Sequence, residues 1–103
     1  MRSPVELFTE TLRSHSNRVL SERQDSYTLV VVSIDNRDVV LCLSKGHYTS
    51  TYYVKLALTD DLNSLDCVEL EYSPQGLYVF SEDPVSLAEN AIKKAKILVK
   101  RSR

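Results

Sequence analysis

Glycine and proline are scarce, two and three residues in a chain of 103, and tryptophan is absent. So few turn-formers exclude collagen-like and linker-like chains, and they argue against a barrel built from many tight hairpins. Long apolar runs are missing as well: the longest, residues 39–43, is far short of the roughly 20 residues a membrane-spanning helix needs. No membrane partner is therefore expected. The N-terminus reaches Pro4 with one arginine, Arg2, and continues into Glu6 and Glu10 without an apolar stretch, so no secretory signal is expected either. Cys42 and Cys67 are too few for a disulfide-stapled scaffold, and they read as small buried hydrophobes in a reducing, cytoplasmic setting.

What the chain has is enough apolar material to fold. With 43% hydrophobic and 26% charged residues and a net charge of −1, disorder is excluded, and the length fits one domain over residues 1–103. The near-neutral total hides a segregation. Residues 1–26 balance to zero, residues 27–82 carry three basic against eight acidic residues, and residues 83–103 carry six basic against two acidic. An acidic middle precedes a basic tail.

Ser3-Pro4-Val5-Glu6 combines an N-cap, a proline at the first helical position and a glutamate three residues after the cap. Val5, Phe8, Leu12 and Val19 continue one apolar face, so the spacing predicts a helix over about 4–23. Asp83-Pro84 repeats the start signal, and the stripe from Leu87 to Val99 predicts a second helix over about 84–100, its lysines clustered where the helix dipole favours them. Between them, β-branched and alternating patterns predict strands at 27–34, 39–44, 50–59, 67–72 and 77–81. Short connections make these an antiparallel meander. The expected fold is α+β, a five-stranded antiparallel meander flanked by an N-terminal and a C-terminal helix.

A four-residue loop at 35–38 sets Ile34 opposite Val39, and opposed side chains share a face. One face then carries Val30, Val32, Ile34, Val39, Leu41 and Leu43; the other carries Tyr27, Leu29, Val31, Val40 and Cys42. Setting Tyr72 opposite Leu77 extends the first face with Val68, Leu70 and Val79, and the second with Glu69, Glu71, Tyr78 and Phe80. The first face is wholly apolar and should receive helices. The second is half apolar, half acidic. Leaving Leu29, Val31 and Val40 in water forfeits roughly 1.5–3 kcal/mol each, so either a helix or a partner covers them.

Catalytic chemistry is thin. His15 lies on a helix and His47 in a loop without a neighbouring carboxylate, and two cysteines with two distant histidines do not make a zinc set. The acidic loop at 60–71 lacks the glycine and the ligand spacing of a calcium loop. No catalytic residue, metal or cofactor is expected. The pattern points to a non-enzymatic, regulatory interaction module of the adaptor, chaperone, immunity or viral accessory kind. It would act as a homodimer or on another protein through Leu29, Val31, Val40, Tyr53 and Phe80. An alternative is a single-stranded nucleic-acid binder, stacking bases on Tyr48 and Tyr53 with Lys45, Lys93, Lys96, Lys100 and Arg101 as a basic rim. The acidic sheet segment and a pI of about 6.1 weigh against it.

Overall fold

The computed structural model describes residues 3–16, 18–24, 26–46, 51–74 and 76–101. Its elements run α1 (Pro4–Arg13), β1 (Val19–Gln24), β2 (Tyr27–Ile34), β3 (Arg37–Lys45), β4 (Tyr52–Leu58), a single 3-10 turn (Thr59–Asp61), α2 (Cys67–Tyr72), β5 (Leu77–Ser81) and α3 (Pro84–Arg101). The five strands form one antiparallel sheet in sequence order, with β1 and β5 at its edges. This is the α+β meander with a helix at each end.

Both terminal helices start as their sequences dictate. The Ser3 hydroxyl accepts the Glu6 backbone N–H at 3.2 Å, and Asp83 accepts that of Ser86 at 3.1 Å. Each helix turns its apolar stripe onto the same face of the sheet. Phe8 and Leu12 of α1 and Leu87, Ala91, Ala95 and Val99 of α3 close over Val30, Val32, Leu41, Val54 and Leu56, all buried. The alanines of α3 let its backbone approach the strands closely, which is why one stripe can fill a layer without larger residues.

The β2–β3 connection is shorter than expected. Ile34 pairs with Arg37, leaving Asp35 and Asn36 as a two-residue loop with φ of +50° and +66°. Positive φ at both central residues matches the twist of a two-residue hairpin, and Asp and Asn tolerate it. The register thus shifts by two residues from the expected pairing. An even shift leaves every side chain on its expected face.

Two element assignments change. The first helix ends at Arg13 rather than about residue 23, and Val19 begins β1, pairing Val19 with Val32 and Leu20 with Val31. Edge pairing satisfies backbone groups along β2 and still buries one side of Val19 against the main core, an outcome the helical spacing of Val19 did not distinguish. Residues 67–72 form α2 rather than a strand. Asp66 caps it, accepting the Val68 N–H at 2.9 Å, and Cys67 and Leu70, three residues apart, then point the same way. The expected pairing of Tyr72 with Leu77 is therefore absent; β5 pairs with β4 instead, Tyr53 against Phe80 and Lys55 against Tyr78.

The second face is where α2 lands. Cys67 and Leu70 cover Leu29, Val40, Cys42 and Ala57 as a second, smaller core, and Cys42 and Cys67 are joined by a disulfide across 25 residues of sequence. The expectation of two separate thiols is corrected by this bridge, and so is the expectation of Leu29 and Val40 as contact residues. Both are buried under the chain's own helix, so the transfer cost counted against them is met internally.

Candidate functional site

Beside α2, the second face stays uncovered at both edges of the sheet: at β1, where Leu20 is exposed, and at β5, where the exposed side chains are aromatic. Alternation along β5 sends Val79 into the main core and Tyr78 and Phe80 to the opposite side, where Tyr53 of β4 joins them. The three rings lie 5.8–6.4 Å apart between centroids, with Tyr78 and Phe80 stacked at 15°. Such spacing is favourable ring–ring contact, yet Tyr78 is 42% exposed and Phe80 63%. They form an aromatic ledge in water. Tyr72, at the end of α2, is 83% exposed.

The ledge is held by a polar seam at its inner border. Lys55, almost fully buried, donates from Nζ to the carbonyls of Ser73 at 2.6 Å and Glu71 at 3.2 Å, acceptors at the C-terminus of α2. The same Nζ lies 5.1 Å from the Tyr78 ring centroid. Burial lowers the Lys55 pKa, with Glu71 pulling the other way. The Tyr53 hydroxyl donates to Glu71 at 3.4 Å. Tyr27 joins this group; burial first, then the charge of Glu71 and the neighbouring Tyr53, push its phenol up to about 12. At the other end of α2, the Gln24 side-chain amide accepts the Cys67 N–H at 3.0 Å and donates to the Leu65 carbonyl at 3.1 Å. A six-residue helix is too short to stand alone. Here it is fixed at both ends and bridged in the middle of the sheet.

Of the expected contact residues, Tyr53 and Phe80 come together at the ledge. Val31 is half-buried and lines a shallow cleft of about 380 Å³ with Leu20, Leu62 and Leu65 on the far side of α2, while Leu29 and Val40 lie beneath it. Tyr78 and Tyr72 complete the exposed aromatic surface. Tyr78 was legible in the alternation of 77–81; Tyr72 was not, because a strand at 67–72 would have turned it into the core. The nucleic-acid set is split. Lys93, Lys96, Lys100 and Arg101 are exposed on α3, which covers the main-core face, whereas Tyr53 points to the opposite one. Lys45 sits over the Tyr52 ring at 5.8 Å, and Tyr48 lies outside the described residues.

Among the described residues, no three His, Cys, Asp or Glu side chains converge as a metal site would require. No helix among the described residues is long and apolar enough to cross a membrane. No family model, curated protein or solved structure matches the chain.

Proposed function

We propose that the chain is a non-enzymatic protein-contact module, working as a homodimer and presenting the ledge of Tyr53, Tyr78 and Phe80 to a protein partner. The observation that carries this reading is the exposure of stacked Tyr78 and Phe80 on an edge strand of the sheet. Aromatic residues are the enriched anchors of protein interfaces because they bury large areas at little rotamer cost. The five acidic residues of 59–72, with no basic residue among them, favour a partner surface that is neutral or basic there.

The test is retention of proteins from the source cells on immobilised chain, comparing wild type, Phe80→Asp and the control Ile97→Asp on the outer side of α3. Loss of the same protein with Phe80→Asp alone supports the ledge. Equal retention by Phe80→Asp overturns it. The nucleic-acid reading stands second, since its stacking ring and its lysines occupy opposite sides of the sheet.

A cytoplasmic location was expected from the lack of an apolar leader and from cysteines too few for a stapled scaffold; the Cys42–Cys67 disulfide weighs against the reducing setting that went with it. Buried disulfides form and persist where thiols oxidise, so the oxidation state of Cys42 and Cys67 in the cells of origin decides the setting.

A further inference from the structure

The two edges of the sheet are unlike. β1 carries Glu22 and Arg23, both exposed, and charges on an edge strand are a common device against pairing with another chain. β5, Leu77-Tyr78-Val79-Phe80-Ser81, has no charge and no proline, is rich in strand-forming residues, and among the described residues has a neighbouring strand on one side only. One edge is guarded and the other is open.

From this asymmetry we infer that β5 pairs antiparallel with β5 of a second copy across a twofold axis at Val79, joining two sheets of five strands into one of ten. This rests on the protein-contact reading above and names both the partner and the register. The sequence of β5 is close to symmetric about Val79, with an aromatic residue on each side. Antiparallel pairing centred there sets Tyr78 against the partner's Phe80, and Phe80 against the partner's Tyr78, all on the face opposite α3. Directly opposed side chains approach to about 5 Å between Cβ atoms, near enough for the two ledges to become one aromatic band. Charge favours this occupant over a foreign strand bearing acids: the carboxylates of Glu71 and Glu82 flank the ledge, and β5 itself is neutral. In this register Glu82 falls beyond the partner's Leu77, away from the second Glu82. The rings keep one side toward solvent after pairing, so a dimer of this kind still offers the band to a further protein. Self-complementary pairing of one patch with itself also closes the assembly at two copies.

The register is tested by light scattering with two double variants at exposed positions. Tyr78→Lys/Phe80→Lys sets like charges against each other across the twofold; Tyr78→Glu/Phe80→Lys sets opposite charges together. Wild type at high concentration should scatter with twice the chain mass of 11.7 kDa. The like-charge variant should remain at the single mass, and the opposite-charge variant should dimerise, weakening with salt. Hydrogen exchange on the wild type provides a measurement free of mutation: β5 amides should gain protection with concentration while β1 amides do not. A monomeric wild type at every concentration, two variants that behave alike, or protection gained at β1 instead would each overturn the inference. If wild type is monomeric yet Phe80→Asp loses a captured protein, self-pairing and the homodimer fail while the ledge stands as a protein contact. If the dimer forms as described and capture is unchanged by Phe80→Asp, the ledge serves only the second copy and the wider reading fails.

Discussion

The Nζ of Lys55 lies 2.6 Å from the carbonyl oxygen of Ser73, so a strand residue in the middle of β4 caps the end of a helix eighteen residues later. Together with the Lys55 bond to the Glu71 carbonyl and the one from Tyr53 to the Glu71 carboxylate, that contact ties α2 to the sheet at its C-terminus, with Tyr78 beside it. Replacing Lys55 with Met preserves the stem and removes the donors. It should cost about 1.5–3 kcal/mol, the range for hydrogen bonds involving a charged group, measured by urea unfolding. Hydrogen exchange should speed up over 67–73 before it does in β2 or β3.

The disulfide makes the same point by a different force. A bridge spanning 25 residues restricts the unfolded chain, and its loss should cost about 3 kcal/mol. Chemical reduction, or Cys42→Ser with Cys67→Ser, should lower the unfolding free energy by that amount and move the urea midpoint down with it. A dye that reports exposed apolar surface should then brighten as α2 loosens from Leu29 and Val40. A midpoint unchanged by reduction would mean that Leu70, Lys55 and Gln24 hold the helix by themselves.

Burial separates positions that look equivalent in the sequence. Val40→Asp places an unpaired charge beneath α2 and should unfold the chain, a loss of more than about 4 kcal/mol. Phe80→Asp, on the exposed ledge, gives up its ring contacts with Tyr53 and Tyr78 and a strand-forming side chain, and should cost no more than about 2 kcal/mol. Thermal melts of the two variants check this directly, and similar melting points would contradict the covered face.

Gly76 has a φ of +103°, and a Cβ there would lie 2.7 Å from the Leu56 carbonyl oxygen. Backbone, not a flexible side chain, is the obstacle. Gly76→Ala should therefore cost about 1–3 kcal/mol and displace the start of β5, seen as lost stability and faster exchange at Leu77 and Tyr78.

Alkaline pH should probe the polar seam. The Tyr27 phenol ionises near 10.0 in the unfolded chain and near 12 in the folded one. Between those values the folded state holds a proton that the unfolded state has lost, so stability present below pH 10 falls as pH rises toward 12. Phenolate absorbance should show Tyr27 titrating late, with Tyr78 also held above the usual tyrosine value by burial, and Tyr27→Phe should remove the Tyr27 part of the alkaline loss.

Much of this architecture is written locally. The capping of α1 by Ser3 and of α3 by Asp83, the stripe of α3, and the division of β2 and β3 into two faces all follow from neighbours a few residues apart. The facial division survived a wrong loop length because a two-residue slip preserves alternation. Residues 67–72 show the limit. Val68, Leu70 and Tyr72 alternate like a strand, while Asp66 and Glu69 carry the spacing of a helix cap, and six residues are too few for period to decide between them. The aromatic pair at the ledge was legible in part, since Tyr78 and Phe80 share a parity that Val79 does not.

Sequence by itself determined that the chain is one α+β layer with an oily side for its terminal helices and a second side mixed in character, because period and capping act over short distances. Only the tertiary structure decided what the second side is for. Cys42 and Cys67, Lys55 and Ser73, and Gln24 and Cys67 are 18 to 43 residues apart, and no local pattern couples them. Their meeting puts α2 over half of that side, which turns Leu29 and Val40 into core and leaves the rings of Tyr78 and Phe80 in solvent.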